Sequence, residues 1–127
     1  MDQRKPKIII CGLTIALDKI LINALQEISN VKVLANYYEL LKLPFIEGEE
    51  LILWELSEAS EKKLEEINTI TKQYPDIKII IINGGGSTKI AAEILKAGAS
   101  DIFPKPFDHE LLVDRVVALL RLKDKFK

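Results

Sequence analysis

Residues 79–86 read Ile-Ile-Ile-Ile-Asn-Gly-Gly-Gly, an aliphatic run that ends abruptly in turn-forming residues. Runs of about four to eight aliphatic or β-branched residues closed by such residues are typical of strands buried on both faces of a sheet. Two more runs fit this pattern, residues 7–11 and 31–35. A third run, 51–54, is followed by Glu55, and a weaker one, 101–103, is closed by a proline. The sequence therefore predicts five strands.

Segments with helical periodicity separate these strands. In the first segment, apolar residues recur three and four positions apart and so share one helix face: Leu17, Ile20, Leu21, Ala24, Leu25 and Ile28. Further helices are predicted over 38–43, 57–74 and 88–97, and a last one from an N-cap at Asp108 to about residue 123. Strands that alternate with helices predict an α/β fold, a doubly wound parallel sheet with helices on both faces.

Composition narrows the possible functions of the chain. Its 127 residues predict a single domain over 1–127, with a core from about residue 6 to residue 123. A net charge of −1 predicts no direct contact with nucleic acid. One Cys and one His exclude an internal disulfide framework and multi-His metal centres. No apolar run approaches the ~20 residues of a membrane helix, so the sequence predicts a soluble, cytoplasmic protein with no membrane partner.

The carboxyl edge of the predicted sheet is where a site is expected. In doubly wound sheets, ligands bind beyond the carboxyl ends of the strands, where the strand order reverses. This rule selects a small group of residues: Cys11, Gly12, Glu55, Asn83, the run Gly84, Gly85 and Gly86, and Lys105. Glu55 is the only carboxylate in this group, so the edge is poor in charge.

Two segments, 74–83 and 96–107, resemble the second half of a receiver domain, the response-regulator module of two-component signalling. The second segment contains Gly-Ala-Ser-Asp followed by Lys-Pro-Phe, a combination that is rare by chance at this spacing. Chain length and element order agree with the resemblance over essentially the whole chain. It implies a flavodoxin-like sheet of order 2-1-3-4-5 flanked by five helices.

The chemistry that the resemblance implies needs five parts at the strand ends. Two acidic residues hold Mg²⁺, an Asp accepts the phosphoryl group, a Ser or Thr binds the phosphate, and a Lys before Pro balances the charge. This chain keeps only the last part, as Lys105-Pro106, and the resemblance implies that this peptide bond is cis. The other positions carry different residues: Cys11 and Gly12 for the metal pair, Glu55 for the phosphoacceptor, and Asn83 for the phosphate-binding residue.

These departures predict an atypical receiver that acts by protein–protein contact. We expect no enzymatic activity, no Mg²⁺-dependent phosphorylation, and no cofactor or bound metal. Ile102 occupies the switch position, where the resemblance implies an aromatic residue. One interpretation of Glu55 is that it pairs with Lys105 and mimics a permanently activated state. The other interpretation is that the domain kept its fold and lost its site, and that Glu55 has no role of its own.

Other functions remain open from the sequence. The first is a phosphoryl-accepting receiver with an unusual site. The second is a flavodoxin-like domain that binds a small anion or nucleotide through backbone N–H groups of residues 84–86. Cys11 is interpreted either as a thiol activated by Lys105 or as a small apolar core residue. His109 is predicted to be a surface residue of the last helix.

The last helix is apolar over more of its circumference than one sheet contact needs. Its predicted core face consists of Leu111, Leu112, Val116, Leu119 and Leu122. A second apolar face, formed by Val113, Val117 and Leu120, predicts contact with a protein partner. The partner would be a signalling kinase, an output domain or a second copy in a homodimer, and the resemblance implies a surface of the fourth helix, fifth strand and fifth helix. The alternative is a set of scattered exposed valines.

Overall fold

The computed structural model describes residues 5–42, 49–58, 60–84 and 88–120, and its centre is a parallel five-stranded sheet. The strands are β1 (Lys7–Cys11), β2 (Asn30–Leu34), β3 (Glu49–Leu56), β4 (Lys78–Asn83) and β5 (Asp101–Pro104). Their order across the sheet is β2-β1-β3-β4-β5, and each neighbouring pair is parallel. The predicted fold class, number of strands and strand order are confirmed.

The described residues form six helices, where five were predicted: α1 (Leu13–Ala16), α2 (Lys19–Ile28), α3 (Tyr37–Lys42), α4 (Glu61–Gln73), α5 (Thr88–Lys96) and α6 (His109–Leu120). The additional helix is α1, which precedes the first predicted segment, and that segment forms α2 from Lys19 instead of Leu17. The Asp18 carboxylate caps α2 by accepting a hydrogen bond from the Leu21 N–H at 3.1 Å. Leu17 and Ile20 were expected to share one helix face with Leu21 and Leu25, but they are 80% and 69% exposed whereas Leu21 and Leu25 are buried.

Side chains that alternate along the strands build two core clusters, one on each face of the sheet. The cluster beneath α1, α2 and α6 includes Ile8, Ile10, Ile15, Leu21, Leu25, Leu53, Ile82, Leu112 and Val116. The cluster beneath α3, α4 and α5 includes Ile9, Cys11, Leu40, Ile52, Trp54, Ile67, Ile70, Ile81 and Ile94. In the second cluster Trp54 stacks on Tyr37, with ring centroids 5.7 Å apart and planes 9° apart.

Two details of the predicted core are corrected. Strand β2 was expected to be buried on both faces, but it lies at the edge of the sheet and its residues are only partly buried or exposed. In α6, Leu112 and Val116 are buried as expected, whereas Leu111 is 59% exposed and does not belong to the core face. A helical wheel gives the spread of apolar residues around a helix but not the direction in which its neighbours lie.

The predicted start of α6 can be compared with the structure, but its predicted end cannot. Asp108 is the expected N-cap, because its Oδ1 accepts hydrogen bonds from the N–H groups of Glu110 at 2.8 Å and Leu111 at 3.2 Å. The predicted end near residue 123, with Leu122, lies outside the described residues. Within the described ranges, no helix is long and apolar enough to cross a membrane.

Candidate functional site

The carboxyl ends of β3 and β5 bring Glu55 and Lys105 together across 50 residues of chain. The Lys105 ammonium forms an ion pair with Oε2 of Glu55, in which the side chains are 29% and 10% exposed respectively. Oε1 of Glu55 accepts a hydrogen bond of 3.3 Å from the backbone N–H of Ile15, in α1. The predicted contact between Glu55 and Lys105 is therefore present, and both oxygens of the carboxylate are engaged.

The chain around Lys105 is fixed by the end of β4. Asn83, the last residue of β4, is the partner of Pro104 in the pairing of β4 with β5. Its carbonyl oxygen accepts a hydrogen bond of 3.1 Å from the N–H of Lys105, the residue after Pro104. The Lys105-Pro106 peptide bond is cis, as the resemblance implies. Asn83 itself is buried, and Ile102, at the switch position, is half-buried against the cluster beneath α3, α4 and α5.

Cys11 ends β1, but its side chain lies in the core rather than in the site. Burial raises the pKa of its thiol to about 12, and the opposing effect of the Lys63 ammonium does not offset this. Lys105 is not among the groups that shift it. The interpretation of Cys11 as an apolar core residue is favoured over an activated thiol, because nucleophilic chemistry requires the thiolate.

We expect Cys11 to react with a disulfide reagent such as 5,5′-dithiobis(2-nitrobenzoate) only after the protein unfolds. The buried thiol is both inaccessible and protonated near neutral pH. The release of nitrothiobenzoate, followed by absorbance with and without denaturant, measures this directly. Rapid labelling of the native protein would contradict the assignment of Cys11 to the core.

The glycine-rich loop after β4 is only partly described. Gly84 is exposed, and its N–H donates to the carbonyl oxygen of Leu56 at 2.9 Å, which ties the start of the loop to the end of β3. Gly85 and Gly86 lie outside the described residues. The anion-binding or nucleotide-binding alternative for this loop therefore stays a prediction.

His109 contributes a contact that the sequence did not predict. Its Nε2 lies 2.7 Å from Oδ2 of Asp18, which joins the start of α6 to the N-cap of α2 across 91 residues. Burial alone would raise the pKa of Asp18, but hydrogen bonds from the Leu21 N–H and from His109 together lower it. Asp18 lies inside the apolar pattern that starts at Leu17, so the periodicity marked neither its role as N-cap nor its contact with His109.

The Asp18–His109 pair borders an open cleft of about 470 Å³ beside the Glu55–Lys105 pair. Its remaining walls combine apolar groups with the lysine and a hydroxyl: Thr14, Ile15, Lys105, Pro106 and Phe107. Phe107 also packs against His109, with ring centroids 5.1 Å apart. Lys105 therefore both pairs with a largely buried carboxylate and lines this cleft.

The residues at this edge do not fit a Mg²⁺ ion. Mg²⁺ prefers carboxylate and other hard oxygen ligands, whereas position 11 is a buried thiol and position 12 has no side chain. Both oxygens of Glu55 already have partners. In the part of the chain that the structure describes, no three His, Cys, Asp or Glu residues are grouped so that they could hold a metal ion.

Comparison of the sequence with known proteins gives partial matches. No protein-family model matches the chain. The chain is 33% identical over 63 residues to the nitrogen assimilation regulatory protein NtrX of Azorhizobium caulinodans, a match that covers 47% of this chain and 14% of that protein. It is 37% identical over 60 residues to a putative NtrX-like response regulator of Rickettsia typhi, covering 45% of this chain and 13% of that protein.

Solved structures match over almost the whole chain. A response regulator from Thermotoga maritima superimposes with a TM-score of 0.80 at 24% identity, covering 92% of this chain and 98% of that one. The BeF3-activated DrrB receiver domain gives 0.79 at 21% identity, covering 92% and 98%. A CheY-like receiver domain from Methanospirillum hungatei gives 0.76 at 24% identity, covering 97% and 99%. The chain shares its fold with these response-regulator and receiver-domain structures, and part of its sequence with the NtrX-type regulators.

Proposed function

We propose that the chain is a receiver domain that acts in signal transduction by protein–protein contact, without Mg²⁺-dependent phosphorylation and without an enzymatic activity of its own. The observation that carries the proposal is the ion pair between Glu55 and Lys105. Glu55 stands at the phosphoacceptor position, and its permanent negative charge meets the lysine there. This supports the interpretation of Glu55 as a built-in substitute for a phosphorylated aspartate.

The environment of Glu55 also argues against phosphoryl transfer to it. Attack on phosphorus needs an accessible carboxylate oxygen and cations that offset the charge gathered in the transition state. The Glu55 side chain is largely buried, one oxygen neutralises Lys105, and the other accepts the Ile15 N–H. The side chains at positions 11 and 12 supply no ligand for a divalent cation that would replace Lys105 in this role.

We expect the phosphoryl donor acetyl phosphate and the phosphate mimic beryllofluoride, each with Mg²⁺, to leave the protein unchanged. The ¹H–¹⁵N amide signals of Gly12, Glu55 and Lys105 should not shift beyond the effect of the salts, and the intact mass should not increase. A receiver domain that has the acidic pair and the aspartate serves as the positive control under the same conditions. A phosphate-sized mass increase on Glu55 would overturn the proposal in favour of an unusual phosphoacceptor.

We further propose that a protein partner binds at the surface of α5, β5 and α6, which are the fourth predicted helix, the fifth strand and the last predicted helix. The partner would be a kinase, an output domain or a second copy of the chain. Leu95 on α5 and Leu111 on α6 expose apolar side chains. Val113 and Leu120 pack in part against the core, and Val117 is half-buried. Of the three residues first assigned to this face, Val117 is therefore the best position for a test.

We expect Val117→Glu to weaken self-association measured by sedimentation velocity, because it places a charge in an apolar contact. Leu41→Glu is the matched control, because Leu41 is an exposed apolar residue of α3 and lies outside this surface. Circular dichroism checks that both variants remain folded. Homodimerisation through this face is contradicted if the unmodified chain sediments as a monomer at high concentration or if Val117→Glu changes nothing.

A further inference from the structure

Gly12, which directly follows β1, has a backbone conformation that favours glycine. Its φ of 141° lies in a region that residues with a Cβ atom rarely adopt. The Gly12 N–H donates to the carbonyl oxygen of Leu34 at 3.0 Å, and its carbonyl oxygen accepts from the N–H of Ala16 at 3.3 Å. The backbone at residue 12 is therefore held between β2 and the first turn of α1.

The space next to Gly12 is filled by Glu55. A Cβ atom on residue 12 would lie 2.7 Å from Cβ and 2.8 Å from Oε1 of Glu55, and its third nearest neighbour would be Cδ of the same residue. Carbon atoms in favourable contact are about 3.5–4.0 Å apart, so this overlap is severe. The oxygen that would collide is Oε1, which accepts the hydrogen bond from Ile15.

We propose that Gly12 is a positioning residue for Glu55. Without a side chain at residue 12, the carboxylate lies across the end of β1, with Oε1 at the Ile15 N–H and Oε2 at the Lys105 ammonium. A side chain at residue 12 displaces the carboxylate from both partners. This inference rests on the proposed function, since it explains how the internal carboxylate is held. It also means that Glu55, as it lies here, is incompatible with an acidic side chain at residue 12.

A set of variants separates this role from the backbone preference of Gly12. Gly12→Ala is introduced into the unmodified chain, into Glu55→Ala and into Glu55→Gly, and unfolding in urea is followed by circular dichroism. The cost of the positive φ is common to all three backgrounds and cancels. Glu55→Ala removes the contact with the carboxylate, whereas Glu55→Gly removes the contact with Cβ as well.

We expect Gly12→Ala to raise the unfolding equilibrium constant at least about tenfold more in the unmodified chain than in the Glu55→Gly background. The effect in the Glu55→Ala background should lie between these two. Amide hydrogen exchange of Ile15 should accelerate in Gly12→Ala when Glu55 is present. If Gly12→Ala alone does not fold, a folded Gly12→Ala/Glu55→Gly double variant supports the proposal and an unfolded one contradicts it.

The proposal is overturned if Gly12→Ala destabilises the fold equally in all three backgrounds, because backbone strain alone would then explain the loss of stability. This failure differs from failure of the proposed function, which would appear as phosphorylation of Glu55 in the unmodified chain. A receiver that is phosphorylated on Glu55 could still need Gly12 to place that carboxylate. The variant set therefore tests the role of Gly12, and the phosphorylation experiment tests the proposed function, independently of each other.

Discussion

Replacing Lys105 with Met is expected to lower the free energy of unfolding by about 2–4 kcal/mol. The substitution leaves the Glu55 carboxylate largely buried without its counter-ion, and removing one partner of a buried ion pair costs up to about 5 kcal/mol. The partial exposure of Lys105 places the expected loss below that limit. Urea denaturation followed by circular dichroism measures the change.

The double variant Glu55→Gln/Lys105→Met is the control for this result. Glutamine has nearly the size of glutamate and can still accept the Ile15 N–H, but it leaves no buried charge. We expect the double variant to recover most of the stability lost in Lys105→Met. A single variant as stable as the unmodified chain, or a double variant no better than the single, would show that the ion pair does not stabilise the fold.

Replacing Asp18 with Ala is expected to lower the free energy of unfolding by about 1–3 kcal/mol. The change removes the N-cap of α2 and the partner of His109, and a lost N-cap alone costs about 0.5–2 kcal/mol. Asp18→Asn is the matched control, because asparagine caps helices as well as aspartate but carries no charge. We expect Asp18→Asn to lose less stability than Asp18→Ala.

The Asp18 contribution should depend on pH in a defined direction. The pKa of Asp18 is lower in the folded protein than in the unfolded chain, so its ionised form stabilises the fold above the unfolded value of about 3.9. That contribution is lost as pH falls through the folded pKa. The difference in stability between the unmodified chain and Asp18→Asn should therefore shrink below about pH 4. A difference that grows on acidification would contradict the assigned direction.

The sheet could be predicted from the sequence because parallel strands buried on both sides leave a direct trace. The run at 79–82 and its breakers mark β4 within a residue at each end. The contact between Glu55 and Lys105 was predictable for a related reason, since strand ends in such a sheet meet at one edge. Both residues were assigned to the carboxyl ends of strands, and this assignment alone predicted that they lie close together.

The remainder of the site depends on packing that periodicity does not record. The helical spacing of apolar residues already begins at Leu17, so the pattern did not show that α2 starts after Asp18. The contact between Asp18 and His109 arises because α2 and α6 pack on the same face of the sheet. The rule that places a site at the strand ends does not predict such a contact between helices. Gly12 could be noted as a departure from the pattern of receiver domains, but its conformation and its closeness to Glu55 are properties of the folded chain.

Trp54 precedes Glu55 in β3 and is the single tryptophan of the chain. Its indole is buried and stacked on Tyr37 of α3, so the protein carries a natural optical probe one residue from the candidate site. Tryptophan emission shifts when an indole leaves an apolar environment for water. Rearrangements that reach β3 or α3 should therefore be readable in real time from intrinsic fluorescence, without attaching a dye.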